Sequence, residues 1–187
     1  MKEKKSASII LSLILSMLLV SISGGQGYTN SIKQDDALNW EGWYGSINDY
    51  IATMSEIINR GKQVATEADK RLSEAMQKDK RSVGKKIIAE IEKNLSTIVQ
   101  ELSRVNPPGE LMTYHEKAIE TYKYRAMGVD AILENNLDDY FMYTNTAISS
   151  EIESIEELIQ VYKKHGASDE VIDALHVIIQ ALKEQFR

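Results

Sequence analysis

Apolar residues return every seven positions through the first third of the chain, and that spacing constrains the fold more than any other feature. Trp40, Ile47, Met54, Gly61, Ala68 and Ala75 form one series, and Tyr44, Ile51, Ile58, Ala65 and Leu72 form the second. Two interleaved series of this kind make a stripe down one side of an α-helix, because seven residues span almost two whole turns. The pattern predicts a helix over 37–78, roughly 60 Å long at 1.5 Å per residue. Gly61 stands on the stripe, where it permits a close helix crossing or marks a kink.

The same helical spacing recurs downstream. Ile88, Ile91, Leu95, Ile98, Leu102 and Val105 predict a second helix over 82–105. The paired prolines Pro107 and Pro108 then close it, since a residue before proline is driven out of the helical region. Proline is well tolerated in a first turn, so a third helix is expected over 108–135. Its inward positions are Leu111, His115, Ala118, Ile119, Tyr122, Ala126, Val129, Ile132 and Leu133. Asn135 and Asn136, followed by Asp138 and Asp139, form the next turn and helix start. A fourth helix over 137–164 places Phe141, Thr144, Ile148, Ile152, Ile155, Leu158, Ile159 and Tyr162 inward. Lys163, Lys164, His165 and Gly166 end it, and Ser168, Asp169 and Glu170 open a fifth over 168–186. The fifth carries Val171, Leu175, Ile178, Ile179, Leu182 and Phe186. Strand alternation is missing throughout. Short links between long amphipathic helices imply an all-α, up-and-down antiparallel bundle of four to five helices.

Ahead of the bundle lies a leader. Met1–Lys5 is basic, residues 6–22 are dominated by Ile, Leu, Met and Val, and small residues follow at 23–27. This order reads as a signal peptide cleaved after Ser23 or Gly27. The apolar stretch is shorter than the roughly 20 residues a spanning helix needs. The domain plan is therefore a signal peptide at 1–27, a polar lead at 28–36 and one helical domain at 37–187. The expected location is outside the cytoplasm: periplasmic, cell-surface or extracellular. Membrane attachment follows only if the leader is kept. Roughly 160 residues remain after cleavage, enough for one real core. The chain's 43% hydrophobic content suits such a core.

Charge and composition remove several classes of function. The chain carries a net charge of −6, and cleavage removes the basic leader, taking it lower still. Nucleic acid is a poor partner for such a surface. With 0 cysteines there is no disulfide framework, thiolate nucleophile or thiolate metal ligand. No Gly-rich phosphate loop, serine nucleophile elbow or His-Glu-x-x-His motif occurs. Asp173 and His176 make a single Asp-x-x-His, whereas di-iron bundles use two Glu-x-x-His copies with further glutamates. No metal or cofactor is expected, and the chain does not read as an enzyme.

Two constellations stay in view as sites. The chain has 9 tyrosines. Of these, Tyr114, Tyr122, Tyr140 and Tyr143, joined by His115, are candidates for lining a small-ligand pocket. Trp40 and Trp43 at the head of the first helix are candidates for a partner-binding patch. His115 and Glu116 are adjacent and point to different helix faces, so an acid–base role for His115 needs a partner from another helix.

The stretch 106–122 carries a resemblance. Pro107 and Pro108 lead into a helix with Leu111, then His115 and Glu116, then Tyr122. This resembles uncharacterised exported helical-bundle proteins of bacteria and archaea. The resemblance implies an exported bundle and no particular activity. The leading expectation is thus a non-enzymatic exported module that binds an unknown partner protein or itself. The alternative is a small-ligand-binding bundle, and a metal protein or enzyme comes third. Sequencing the N-terminus of the native protein tests the leader: the chain should begin at Gly24 or Tyr28, and an intact Met1 on a cytosolic species contradicts export.

Overall fold

A computed structural model describes residues 44–77 and 81–184. The leader, Trp40, Trp43 and Phe186 therefore lie outside the described residues. Five α-helices occur among the described residues: α1 Tyr44–Gln77, α2 Arg81–Leu102, α3 Met112–Leu133, α4 Leu137–Lys164 and α5 Asp169–Glu184. One short 3-10 turn, Gly109–Leu111, stands between α2 and α3. No strand occurs among the described residues. Each helix packs against its neighbours in sequence, so the architecture is the all-α antiparallel bundle implied by the spacing.

The links between helices are set by local chemistry. Helix α2 stops at Leu102, three residues before the predicted end, and the chain turns ahead of Pro107 and Pro108. Pro108 is extended at φ −58 and ψ 145, and its carbonyl accepts from Leu111 to close the 3-10 turn. The α-helical part of the third element consequently starts at Met112 rather than 108. At the far end of α3, Asn135 takes φ 60. The amides of Asn135 and Asn136 then bond back to the Ile132 and Ala131 carbonyls, which satisfies two otherwise orphaned acceptors. Asn136 also caps α4, its side chain accepting from the Asp139 amide at 3.2 Å. Gly166 repeats the device after α4 at φ 74, with Gly166 and Ala167 donating to Lys163 and Tyr162.

Three apolar clusters hold the bundle. The largest joins Tyr50, Met54 and Ile57 of α1, Ile87, Ile91, Leu95, Ile98 and Leu102 of α2, and Ala118, Tyr122 and Val129 of α3, with Leu158 of α4. A second joins Ile148, Ile152 and Ile159 of α4 to Ile172, Ile179 and Leu182 of α5. A third, by the α3–α4 turn, holds Ala131, Ile132 and Tyr140.

The buried line of α1 runs through Tyr50, Met54, Ile57 and Gly61. Met54 and Gly61 belong to the predicted stripe, but Tyr50 and Ile57 replace Ile51 and Ile58, which are only partly buried. A similar shift puts Ile87 deeper than Ile88 on α2. Both shifts are of one residue, about 100° around a helix, and keep the displaced side chain at the core's edge. Phe141 was expected inward and is 43% exposed.

Gly61 serves the close crossing. A Cβ there would lie 2.5 Å from the Ile98 Cδ1 methyl. Helix α1 passes through this position unbroken. Gly61→Val should therefore destabilise the protein by about 1–3 kcal/mol through overpacking. In urea unfolding, adding Ile98→Ala should make Gly61→Val cost less than it does in the wild-type background.

Candidate functional site

His115 is buried, at 5% exposure, just after the proline corner where α1, α2 and α3 meet. Its partner comes from 65 residues away in the chain: Tyr50 of α1 lies with its hydroxyl 3.1 Å from Nδ1. The Leu102 carbonyl, at the end of α2, favours the protonated ring. With the Tyr50 hydroxyl as donor, Nδ1 accepts and the hydrogen of the neutral imidazole stands on Nε2. Burial holds its pKa below the ordinary histidine value, partly offset by the Glu116 charge and the Leu102 bond. Burial also raises the Tyr50 hydroxyl well above the ordinary tyrosine range, so Tyr50 is a hydrogen-bond donor and not a base. The bond ties α1 to the start of α3 and occupies Nδ1.

Tyr114 continues this region. Its ring meets that of Tyr50 edge-on, with centroids 6.3 Å apart and an 80° interplanar angle. Its carbonyl accepts from the Ser154 hydroxyl of α4 at 3.2 Å. Two turns on, Tyr122 is buried beneath Arg125, whose guanidinium carbon stands 5.4 Å from the ring centroid. Arg125 in turn pairs with Glu151 of α4, the most buried of the ion pairs among the described residues. Burial raises the Tyr114 hydroxyl beyond the usual range, with Tyr162, Tyr122 and Glu151 adding to the effect. Tyr122 is pushed up to about 12, again chiefly by burial.

The other two tyrosines belong elsewhere. Tyr140 is buried with Ala131 and Ile132, and Tyr143 packs at the edge of that cluster. The Tyr143 ring stacks on Tyr124 at 6.3 Å. The structure thus brings Tyr114, His115 and Tyr122 into the main core and places Tyr140 and Tyr143 by the α3–α4 turn. An open groove of about 510 Å³ runs along Glu116, Lys117, Glu120, Lys123, Tyr124 and Met127. None of the candidate ligand residues lines it.

The remaining candidates are on the surface. Asp173 and His176 are exposed on α5. No group of three or more His, Asp or Glu residues among the described residues is arranged to hold a metal ion. No described helix is long and apolar enough to cross a membrane. His165 lies 2.6 Å from Glu110, and Lys164 lies 3.0 Å from the same carboxylate, which joins the proline corner to the end of α4. These contacts hold Glu110 below the usual carboxylate range.

The residues that spacing alone missed are Tyr50 and the Arg125–Glu151 pair. Tyr50 lies off both seven-residue series, and Arg125 and Glu151 read as ordinary surface charges of helices. With an all-α bundle and this polar junction described, the chain was compared with protein-family models, curated proteins and solved structures, and it matches none of them.

Tyr50→Phe removes the donor to a buried imidazole nitrogen and should cost about 1–3 kcal/mol at neutral pH. Arg125→Met should cost more than Lys183→Met, because it strands the Glu151 carboxylate at a partly buried site. The double variant Arg125→Met/Glu151→Met should recover part of that loss. Chemical unfolding at pH 7 measures all three effects.

Proposed function

We propose that this chain is an exported, non-enzymatic helical bundle that binds a partner protein through the uncovered end of α4. One observation carries the reading. Phe141, Ile148, Ile155 and Tyr162 follow one another at seven-residue spacing on α4. Ile148 is buried in the α4–α5 cluster, and Ile155 and Tyr162 pack against it. Helix α5 has 16 residues against 28 in α4. The two are joined at the C-terminal end of α4, so the described part of α5 lies along the second half of α4. Phe141 continues the series beyond that reach and is exposed, with Leu137 one turn before it at 37% and Met142 beside it at 51%.

An apolar seam that outlasts its own partner helix suits a short amphipathic helix lying end to end with α5. Exposed Phe and Met offer large, adaptable contact area. Export rests on the basic-then-apolar leader. The burial of His115 and its bond to Tyr50 support a non-catalytic reading.

The small-ligand reading draws on Tyr114 and Tyr122, which share one interior neighbourhood with Arg125 and Glu151. Tyr140 and Tyr143 contribute to a different one, which favours the interaction reading.

A photo-cross-linker in place of Asn145, exposed one turn after Phe141, tests the proposal in the source cells. It should give a discrete protein adduct that Phe141→Asp abolishes, while a cross-linker at exposed Glu157 gives none. An adduct with a second copy of the chain identifies self-association at the same surface. The absence of any Asn145 adduct, or one indifferent to Phe141→Asp, overturns the reading.

A further inference from the structure

We propose that His115 is a proton-operated latch, and that its protonation releases the N-terminal half of α1 from the proline corner. The geometry begins with the unequal lengths of the first two helices. Helix α1 has 34 residues and α2 has 22. Cross-helix pairs set their register: Arg60 bonds to Glu101 and Arg71 to Glu90. In each pair the residue numbers move in opposite senses, so Arg60 lies level with the last turn of α2. Residues 44–58 of α1 therefore extend past α2, toward the start of α3. The described contacts in this part of α1 are the apolar residues Ile51, Met54, Ile57 and Ile58, the edge-on Tyr50–Tyr114 ring pair and the Tyr50–His115 hydrogen bond.

The charged surroundings of His115 decide how it responds to acid. On α1 the facing group is the Tyr50 hydroxyl. At the end of α2 it is the Leu102 carbonyl, while Glu101 is turned to Arg60. At the corner, Glu110 is engaged by Lys164 and His165 of α4. On α3 itself Tyr114 stands beside the ring and Glu116 is exposed. From α4, Tyr162 acts on Tyr114. Glu116 favours an imidazolium in part, but no carboxylate among the described residues is hydrogen-bonded to the ring, so burial makes the charged form unfavourable.

Protonation also removes the Nδ1 lone pair. The Tyr50 hydroxyl loses its acceptor and must turn its own hydrogen elsewhere inside the core. Opening the 44–58 segment hydrates the ring and relieves both penalties. Burial depresses the folded-state pKa of His115. The latch is therefore fully closed above the ordinary histidine value near 6.5 and weakens as pH falls toward the folded value.

Hydrogen exchange read by mass spectrometry between pH 7.5 and 5 tests the latch on the purified protein. Rates are converted to protection factors, so the intrinsic pH dependence of exchange cancels. In the wild type, peptides covering 44–58 should lose protection in acid, approaching tenfold per pH unit, the limit for one proton. Peptides of 169–184 should hold theirs. His115→Gln keeps a neutral amide at the position and should abolish the pH dependence. An NMR titration of the wild-type His115 ring supplies an independent readout: protection should fall between the ordinary histidine value near 6.5 and the folded ring's midpoint, and level off below that midpoint. The latch is refuted by flat protection in the wild type, by an unchanged slope in His115→Gln, or by protection that goes on falling well below the ring's midpoint.

Discussion

Helix α4 is buried on two faces, against α3 and against α5, and it can serve both only if one contact is thin. The contact with α3 is the thin one. It is the most extensive helix pairing among the described residues. Gly128 of α3 faces Tyr140, Tyr143 and Thr144 of α4. Around it the buried positions are small: Ala118, Thr121 and Ala131 on α3, and Thr144, Ala147, Ser150 and Ser154 on α4. Small side chains let two backbones approach, and approach brings polar groups within reach. Ser154 then bonds to the Tyr114 carbonyl, Lys117 to Glu153 and Arg125 to Glu151. With α3 and α4 fixed as a pair, α1 and α2 pack on the outer side of α3, and α5 on the outer side of α4. Buried ion pairs contribute little net stability after desolvation. Arg125 and Glu151 are better understood as setting the register of two helices whose small residues alone would permit sliding.

The proline corner solves a different problem. Two helices end there and a third begins, leaving carbonyls and amides without helical partners. Pro107 and Pro108 lack amides to satisfy, and Ser103 returns its hydroxyl to the Val99 carbonyl at 2.7 Å. The Leu102 carbonyl acts on the His115 ring, whose Nδ1 is bonded to Tyr50. One imidazole thus sits at a helix end and anchors a helix remote in sequence. That economy makes the junction sensitive to protonation, since the same ring cannot both accept from Tyr50 and carry a second proton.

At the opposite end the design is unfinished on one side. The α4 seam continues past the described part of α5 as the exposed Phe141 and Leu137. Glu134 and Asp138 stand exposed near them. Acidic side chains beside an apolar step disfavour pairing with an identical surface and suit a partner with basic flanks. The functional reading concentrates on this end because the interior tyrosines are occupied with packing, while these side chains are exposed.

Much of the architecture was legible in the chain itself, because it rests on short-range physics. The number of helices, the proline corner, the asparagine turn at 135–136 and the glycine stop at 166 each follow from the allowed backbone geometry of a few adjacent residues. The buried stripes of α1 and α2 were readable to within one position, since a one-residue shift leaves both side chains near the core. The α3–α4 contact was not readable, because alanine, serine, threonine and glycine carry no strong apolar signal and their burial depends on what lies opposite. Phe141 was misplaced for the complementary reason: periodicity says which side of α4 it occupies, not whether α5 is long enough to cover it. For His115, sequence supplied the corner and the need for a partner from another helix. Only the fold supplied Tyr50, because a contact across 65 residues depends on the relative lengths and register of α1 and α2. Local sequence determined the helices and their ends; tertiary packing decided which polar groups are buried together, since burial is a property of neighbours in space.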